Sequence, residues 1–384
     1  MRSQDPFIGR DILNGQFQIL QKIGSGGMGS VYKALQPDMN RMVAVKILHP
    51  KLNTRKDLVS RFRREARSMS QLSHPNTTKV FLYGELDDGS LYIVMEHLDG
   101  KNLNQTVRND GPFSIERALP ILIAVSGALD EAHRAGIIHR DLKPENIFLV
   151  QSMSQRDYPK VLDFGLAKVG ERQMRPGSVI LTQEGMVFGT PEFMSPEQAQ
   201  GKTPVPGSDI YALAVILYEV LTGKLPFDAK SPMDFIHLHV TTQPIPLNQR
   251  VPGRTFPPML EAVISKALQK RSEDRYATAA EFANALQTVL QEQGLPAHLR
   301  SSSQMLAAQP HNAPSMRPVV AQSSAPALQM NPSNRPAPYY SAPPTVPHGV
   351  PRSGGPSLAL LIGVAAAFLC IGALLAFVAM KVLR

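Results

Sequence analysis

The run His139-Arg140-Asp141-Leu142-Lys143-Pro144-Glu145-Asn146, followed by Asp163-Phe164-Gly165, constrains this chain more than any other feature. It sets two acidic centres on either side of a Lys and an Asn. Asp141 is placed to take the proton of a hydroxyl. Asn146 and Asp163 offer hard oxygens that suit Mg²⁺ shared with phosphate oxygens. Lys143 would neutralise charge on a phosphoryl group in transit.

Two upstream segments supply the other half of a cleft. Phe17-Gln18-Ile19-Leu20 alternates apolar and polar residues, Gly24-Ser25-Gly26-Gly27-Met28-Gly29 turns, and Val31-Tyr32-Lys33-Ala34 runs on extended. In dinucleotide-binding folds a helix follows such glycines. Here Ser30-Val31-Tyr32 favours a strand and Pro37 soon interrupts, so the pattern predicts a β-hairpin. Its glycines would let backbone N–H groups reach phosphate oxygens, although an ordinary glycine-rich hairpin reads the same way. Val43-Ala44-Val45-Lys46-Ile47-Leu48 is an apolar strand with one charge. From Lys56 to about Ser73, the residues Leu58, Phe62, Glu65, Met69 and Leu72 recur three or four apart, the stripe of a core-facing helix. Glu65 lies in that stripe, where a carboxylate is costly without a counter-charge. Lys46 is its expected partner. A Glu65 at the rim, facing water, is the competing reading.

A long helix is expected from Ser114 to Ala135, with Gly136 ending it. Taken together and in this order, the segments resemble the eukaryotic-type (Hanks-type) protein kinases over residues 17–290. The Leu-Lys-Pro-Glu-Asn form is similar to serine/threonine members, and Gly-Thr-Pro-Glu-Phe-Met-Ser-Pro-Glu to bacterial membrane-anchored ones. The resemblance implies an α+β, bilobal protein-kinase fold, with a small β-rich N-lobe and a larger, mostly helical C-lobe. It implies catalytic roles for Asp141, Lys143, Lys46 and Glu65. It implies that ATP is held by Ile23, Gly24, Ser25, Gly26, Gly27, Met28 and Gly29, by Val31, Ala44 and Phe148 around the base, by Met95, Glu96 and Leu98 at the hinge, and by Asn102 near the ribose. Mg²⁺, with Mn²⁺ as a substitute, would sit on Asn146 and Asp163. Asp209 would brace the catalytic loop, and Glu197 would pair with Arg275. Arg140, helped by Lys168, would bind a phosphate on Thr182 or, second, Ser178. Phosphate adds about −1.5 to −2 charge and would order that loop. The departure Ser195-Pro196-Glu197 from Ala-Pro-Glu exchanges one small residue for another.

Composition changes near residue 296. Residues 296–356 are rich in Pro, Ser, Ala and Gln, with too few large apolar groups to offset the entropy of ordering. They read as a disordered linker with a root-mean-square reach of roughly 40–45 Å. Residues 357–380 are uncharged and mostly apolar, long enough as a helix to cross the ~30 Å hydrocarbon core. A single-pass, tail-anchored protein is therefore expected, at a bacterial cell membrane, with the ATP-using domain in the cytoplasm. The N-terminus carries no signal peptide pattern, and one cysteine, Cys370, excludes an intramolecular disulfide. The net charge of +9 comes from basic residues interspersed with acids, with no reader motif for nucleic acid, so no nucleic-acid partner is expected. The expected partners are protein substrates, the membrane, and a second copy of the chain phosphorylated in trans. The reading from another class is a catalytically silent scaffold, against which the intact set Lys46, Glu65, Asp141, Asn146 and Asp163 speaks.

Overall fold

The computed structural model describes residues 5–26, 29–48, 56–151, 156–164 and 190–292. They belong to one compact unit, Met1–His311; a second, Asn312–Arg384, lies outside the described residues. So do Gly27, Met28, Lys168, Ser178, Thr182, the linker and the apolar run 357–380. Among the described residues no helix is long and apolar enough to cross a membrane.

Period-two alternation near the N-terminus produces an antiparallel six-stranded sheet: β1 (Asp11–Ile12), β2 (Phe17–Gly26), β3 (Gly29–Gln36), β4 (Arg41–Leu48), β5 (Val80–Glu85) and β6 (Leu91–Glu96), in the order β1-β2-β3-β4-β6-β5. The expected hairpin is present, and its strands reach further into the glycine run than the sequence suggested, to the pair Gly26–Gly29. A Cβ on Gly29 would stand 2.2 Å from the Ile47 carbonyl oxygen, so this glycine lets β3 lie close against β4. Register puts Val31, Lys46 and Ile93 side by side across three strands, and likewise Lys33, Ala44 and Met95. Directly paired residues share a face, so these six residues form one surface of the sheet. The opposite surface buries Tyr32, Ala34, Val43, Val45, Ile47 and Val94 in an apolar cluster of its own, against which Phe7 and Leu13 pack.

Helix α1 (Lys56–Met69) packs Phe62, Ala66 and Met69 into the main core with Leu48, Leu91 and Ile93. The helix ends before Leu72, which is nonetheless buried in the turn that follows. Next, residues 76–78 are stitched to strand β9 (Tyr158–Val161). Asn76 Nδ2 donates to Pro159 O at 2.7 Å, Val161 N–H to Asn76 O at 2.7 Å, and Thr78 Oγ1 to Val161 O at 2.9 Å. This fixes where α1 stands relative to Asp163, two residues beyond β9.

The helical part follows from a different periodicity. β7 (Gly100–Asn102), β8 (Ile147–Val150) and β9 form a three-stranded sheet beside α2 (Leu103–Asp110) and α3 (Ile115–Arg134). Ser114 caps α3, and Gly136 takes φ +74° just past its end. After α4 (Pro196–Ala199), α5 (Pro206–Thr222) is buried without a break from Ser208 to Tyr218, as a sequence apolar nearly all round requires. Helices α6 (Pro232–Thr241), α7 (Leu247–Arg250), α8 (Pro258–Ala267) and α9 (Ala279–Glu292) complete this part, with α3, α8 and α9 packed around α5.

Arg275 joins the ends of this helical part. Its guanidinium meets both Glu197 oxygens at 2.9 Å and donates to the carbonyls of Gln269, Gly207 and Lys270. All five N–H groups are thus satisfied, and the side chain is 0% exposed. Removing one partner leaves a buried carboxylate uncompensated. Arg275→Ala is expected to lower unfolding free energy by about 3–5 kcal/mol, read by urea denaturation of the wild type and variant.

Candidate active site

The loop His139–Asn146 and the segment after β9 hold two residues in the left-handed region, Arg140 at φ +71° and Asp163 at φ +55°. Each such non-glycine residue costs on the order of 1–3 kcal/mol and persists only if its surroundings impose it. For Arg140 the constraint is visible. Asp209, in the first turn of α5 and 1% exposed, accepts from His139 N at 2.8 Å and Arg140 N at 3.0 Å. His133 Nε2 approaches the same carboxylate at 2.7 Å and, since a carboxylate only accepts, must donate. Gln198 Nε2 donates to Arg140 O at 2.7 Å, closing the loop from the other side. Burial would raise the Asp209 pKa, but the hydrogen bond and charge of His133, with His139 and the Arg140 N–H, hold it below the ordinary carboxylate range.

The second acidic segment is tied to the first. His139, fully buried, donates from Nε2 to Leu162 O at 2.8 Å and lies 5.1 Å from the Phe164 ring. Leu162 N–H donates to Asn146 O at 2.9 Å. Asp141 and Lys143 meet at 2.8 Å, and Lys143 Nζ also donates to Thr190 Oγ1 at 3.1 Å. Asn146 Nδ2 donates to Asp141 O at 2.7 Å, which orients the amide.

Lys46 pairs with Asp163 at 2.8 Å, a carboxylate that the sequence pattern does not name as its partner. The Asp163 carboxylate is half-buried and Lys46 is 8% exposed, so each gains most from the opposite charge nearest to it. Burial would raise the Asp163 pKa, yet Lys46, then His139 and Lys143, hold it low, so Asp163 stands as a carboxylate. Glu65 is half-buried on α1, beside Phe62 and Ala66. The donor set fits a hard divalent cation: one oriented amide, whose Nδ2 is spent on the loop, and one ionised carboxylate.

The residues expected around a base are distributed as follows. Val31, Ala44 and Met95 share the sheet surface that carries Lys46. Phe148 is half-buried on β8, and Leu98 half-buried just past β6. Glu96 donates its N–H to Lys79 O at 3.0 Å, and its carboxylate meets Lys79 N at 2.8 Å and Lys160 Nζ at 2.7 Å. The Glu96 N–H is thus already spent within the fold. Asn102 caps α2: its side-chain oxygen accepts Gln105 N at 2.8 Å while Gln105 Oε1 accepts Asn102 N at 3.1 Å. This reciprocal cap of α2 was written in the spacing Asn-x-x-Gln. Ile23 and Ser25 are exposed or nearly so, and a Cβ on Gly26 would meet nothing within 4 Å. His133, Gln198, Asn76, Thr78 and Lys160 were missed. Only His133 carried a signal, as a polar residue ending an apolar helix that points at the loop.

The sequence profile of the protein kinase domain family matches residues 17–289. The chain is 40% identical over 310 residues to the serine/threonine-protein kinase pkn3 of Myxococcus xanthus, covering 80% of this chain and 56% of that protein. It is 40% identical to the serine/threonine-protein kinase PknB of Mycolicibacterium smegmatis, over 70% of this chain and 42% of the relative. The chain thus spans about half the length of such curated relatives. The crystal structure of the Mycobacterium tuberculosis PknI kinase domain superposes with a TM-score of 0.56 at 28% identity, covering 73% of this chain and 98% of that one.

The buried carboxylates impose a pH dependence. Asp163, Glu197 and Asp209 all have folded-state pKa values below their ordinary ones. Their contribution is present above the unfolded pKa of about 4 and is lost as pH falls through the lower folded values. Unfolding free energy, followed by urea titration, should fall steadily from about pH 5 downward, and Asp209→Asn should flatten that slope.

Proposed function

Because the chain belongs to the protein kinase domain family, we propose that it is a serine/threonine protein kinase, moving the γ-phosphoryl group of ATP to Ser or Thr hydroxyls of proteins. The observation that carries this reading is the cluster Asp141–Lys143–Thr190, set beside Lys46–Asp163 and pinned through Asp209. Asp141 accepts the proton of the incoming hydroxyl. Lys143, already within hydrogen-bonding distance of Asp141 and Thr190, stabilises charge on the group in transit. Lys46 faces the phosphates of ATP from the sheet surface whose Val31, Ala44 and Met95 line the base, with Phe148 opposite. Asn146 and Asp163 would hold Mg²⁺, or Mn²⁺ in its place, and the bound cation supplies charge neutralisation on the phosphates. Most of the acceleration in such a reaction comes from positioning and charge stabilisation, which a rigidly braced loop provides. A silent scaffold is disfavoured because none of Lys46, Glu65, Asp141, Asn146 or Asp163 is replaced.

Control and location belong to the same reading. Among the described residues, Arg140 Nε is buried without a hydrogen-bond partner, which supports a role for that guanidinium in receiving phosphate from Thr182 or Ser178, with Lys168 assisting. The uncharged run 357–380 supports a single-pass anchor in a bacterial cell membrane, with the ATP-using domain on the cytoplasmic side. Residues 296–356 would let neighbouring copies meet often and phosphorylate one another in trans.

Incubation of the detergent-solubilised chain with γ-labelled ATP and Mg²⁺ tests the activity. Label should reach the chain itself and a basic protein substrate. Asp141→Asn should reduce transfer by about 10²–10⁴-fold, the range for loss of a general base, and Lys46→Met should also abolish most of it. No transfer by the wild type would defeat the reading. Mass spectrometry of the labelled chain should find phosphate on Thr182 ahead of Ser178. At matched low concentration, the chain shortened to residues 1–295 should label that loop more slowly than the membrane-reconstituted full chain. Equal rates would remove the role given to tethering.

A further inference from the structure

One buried histidine links the centre of the helical part to the segment that carries Thr190. His239, in the last turn of α6, is 0% exposed. Its ring lies edge-on to Tyr211 and Phe227, with centroids 5.5 Å and 5.0 Å away. Burial, and then the charge of Lys270, push its pKa down to about 3, so the ring is neutral and holds a single N–H. The Glu192 carbonyl, 3.1 Å from Nε2, can only accept, which puts the proton on Nε2. Nδ1 is then the acceptor for the Tyr211 hydroxyl at 2.9 Å. Lys270 Nζ donates to the His239 carbonyl at 2.9 Å and covers the Phe227 ring, fixing the end of α6. The hydrogen bonds therefore run one way, from Tyr211 on α5 through the His239 ring to the backbone of the short 3-10 turn Pro191–Phe193. That turn begins one residue after Thr190, whose hydroxyl receives Lys143.

We propose that His239 is a positioning residue for the protein substrate: its Nε2–H bond to Glu192 O holds residues 190–193 where Lys143 and Asp141 can act on an incoming hydroxyl. The inference rests on the kinase reading above. An apolar residue would fill the same box without the cost of burying two polar atoms, whereas the two ring nitrogens here join α5 to the Pro191–Phe193 turn. The partners of His239 are Tyr211, Phe227, Glu192 and Lys270, whereas Lys46, Asn146 and Asp163 sit on β4, the catalytic loop and the segment after β9. Loss of His239 should therefore weaken use of the protein substrate and spare ATP.

Steady-state kinetics of the full chain test this, varying myelin basic protein and ATP separately for wild type, His239→Leu and His239→Gln. Leu keeps an apolar filler and loses the N–H; Gln restores a donor. His239→Leu should raise the KM for the protein about tenfold, the effect of orphaning one buried hydrogen-bonding group, with the KM for ATP unchanged. Gln should recover most of that rise. If both KM values rise together, if neither changes while thermal stability falls, or if Gln gives no recovery, His239 only packs and the proposal is overturned. Should His239→Leu not fold, Tyr211→Phe, which frees Nδ1 but leaves the ring in place, should raise the KM for the protein about threefold and leave that for ATP alone; no change would also overturn it. A wild type that transfers no phosphate defeats the kinase reading itself, a result separable from an active wild type with indifferent His239 variants.

Discussion

The arrangement depends on one buried carboxylate. Asp209 receives two consecutive backbone N–H groups, of His139 and Arg140, and a ring N–H from His133. An acidic group at 1% exposure would be untenable without that many donors. Its place in the first turn of α5 adds the favourable end of the helix dipole. The apolar burial of α5 on every side makes the anchor rigid, and the anchor forces Arg140 into its left-handed conformation. From there the consequences are local: Asp141 follows in sequence, Lys143 two residues on, and Asn146 folds its amide back onto the Asp141 carbonyl.

The sheet half reaches the same place through Lys46. Its neighbours across the strands are Val31 and Ile93, so the ammonium emerges from an apolar surface. The 2.8 Å pair with Asp163 joins that surface to the segment stitched onto the catalytic loop by His139 and Leu162. Residues 76–78, bonded to β9, keep the two halves in register behind the pair. An ammonium and a carboxylate so placed can separate when anionic phosphates and a cation compete for them, because each has a natural partner in that pair of charges.

How much of this was legible in the sequence follows from the range of each interaction. The hairpin and the C-terminal limit of α3 were legible because they rest on local periodicity and on Gly136. The pairing of Lys46 with Asp163 was not legible, because the patterns along β4 and α1 do not show how near the segment after β9 comes to the sheet. The cap at Asn102 was written locally, as Asn-x-x-Gln. His133 and His239 could not have been assigned partners from spacing alone. They act on Asp209 and Glu192, dozens of residues away, and only the packing of α3 and α6 against α5 and the Pro191–Phe193 turn brings them together.

In the proposed reading the site divides into a hydroxyl-activating group, Asp141, and a cation-holding pair, Asn146 and Asp163. The most direct test of that division is nucleotide affinity, measured by titration of a fluorescent ATP analogue with and without Mg²⁺. Asp141→Asn should bind the analogue with the Mg²⁺ enhancement of the wild type, whereas Asp163→Asn should bind it with that enhancement lost. An Asp163→Asn variant that keeps the full Mg²⁺ dependence would contradict the account.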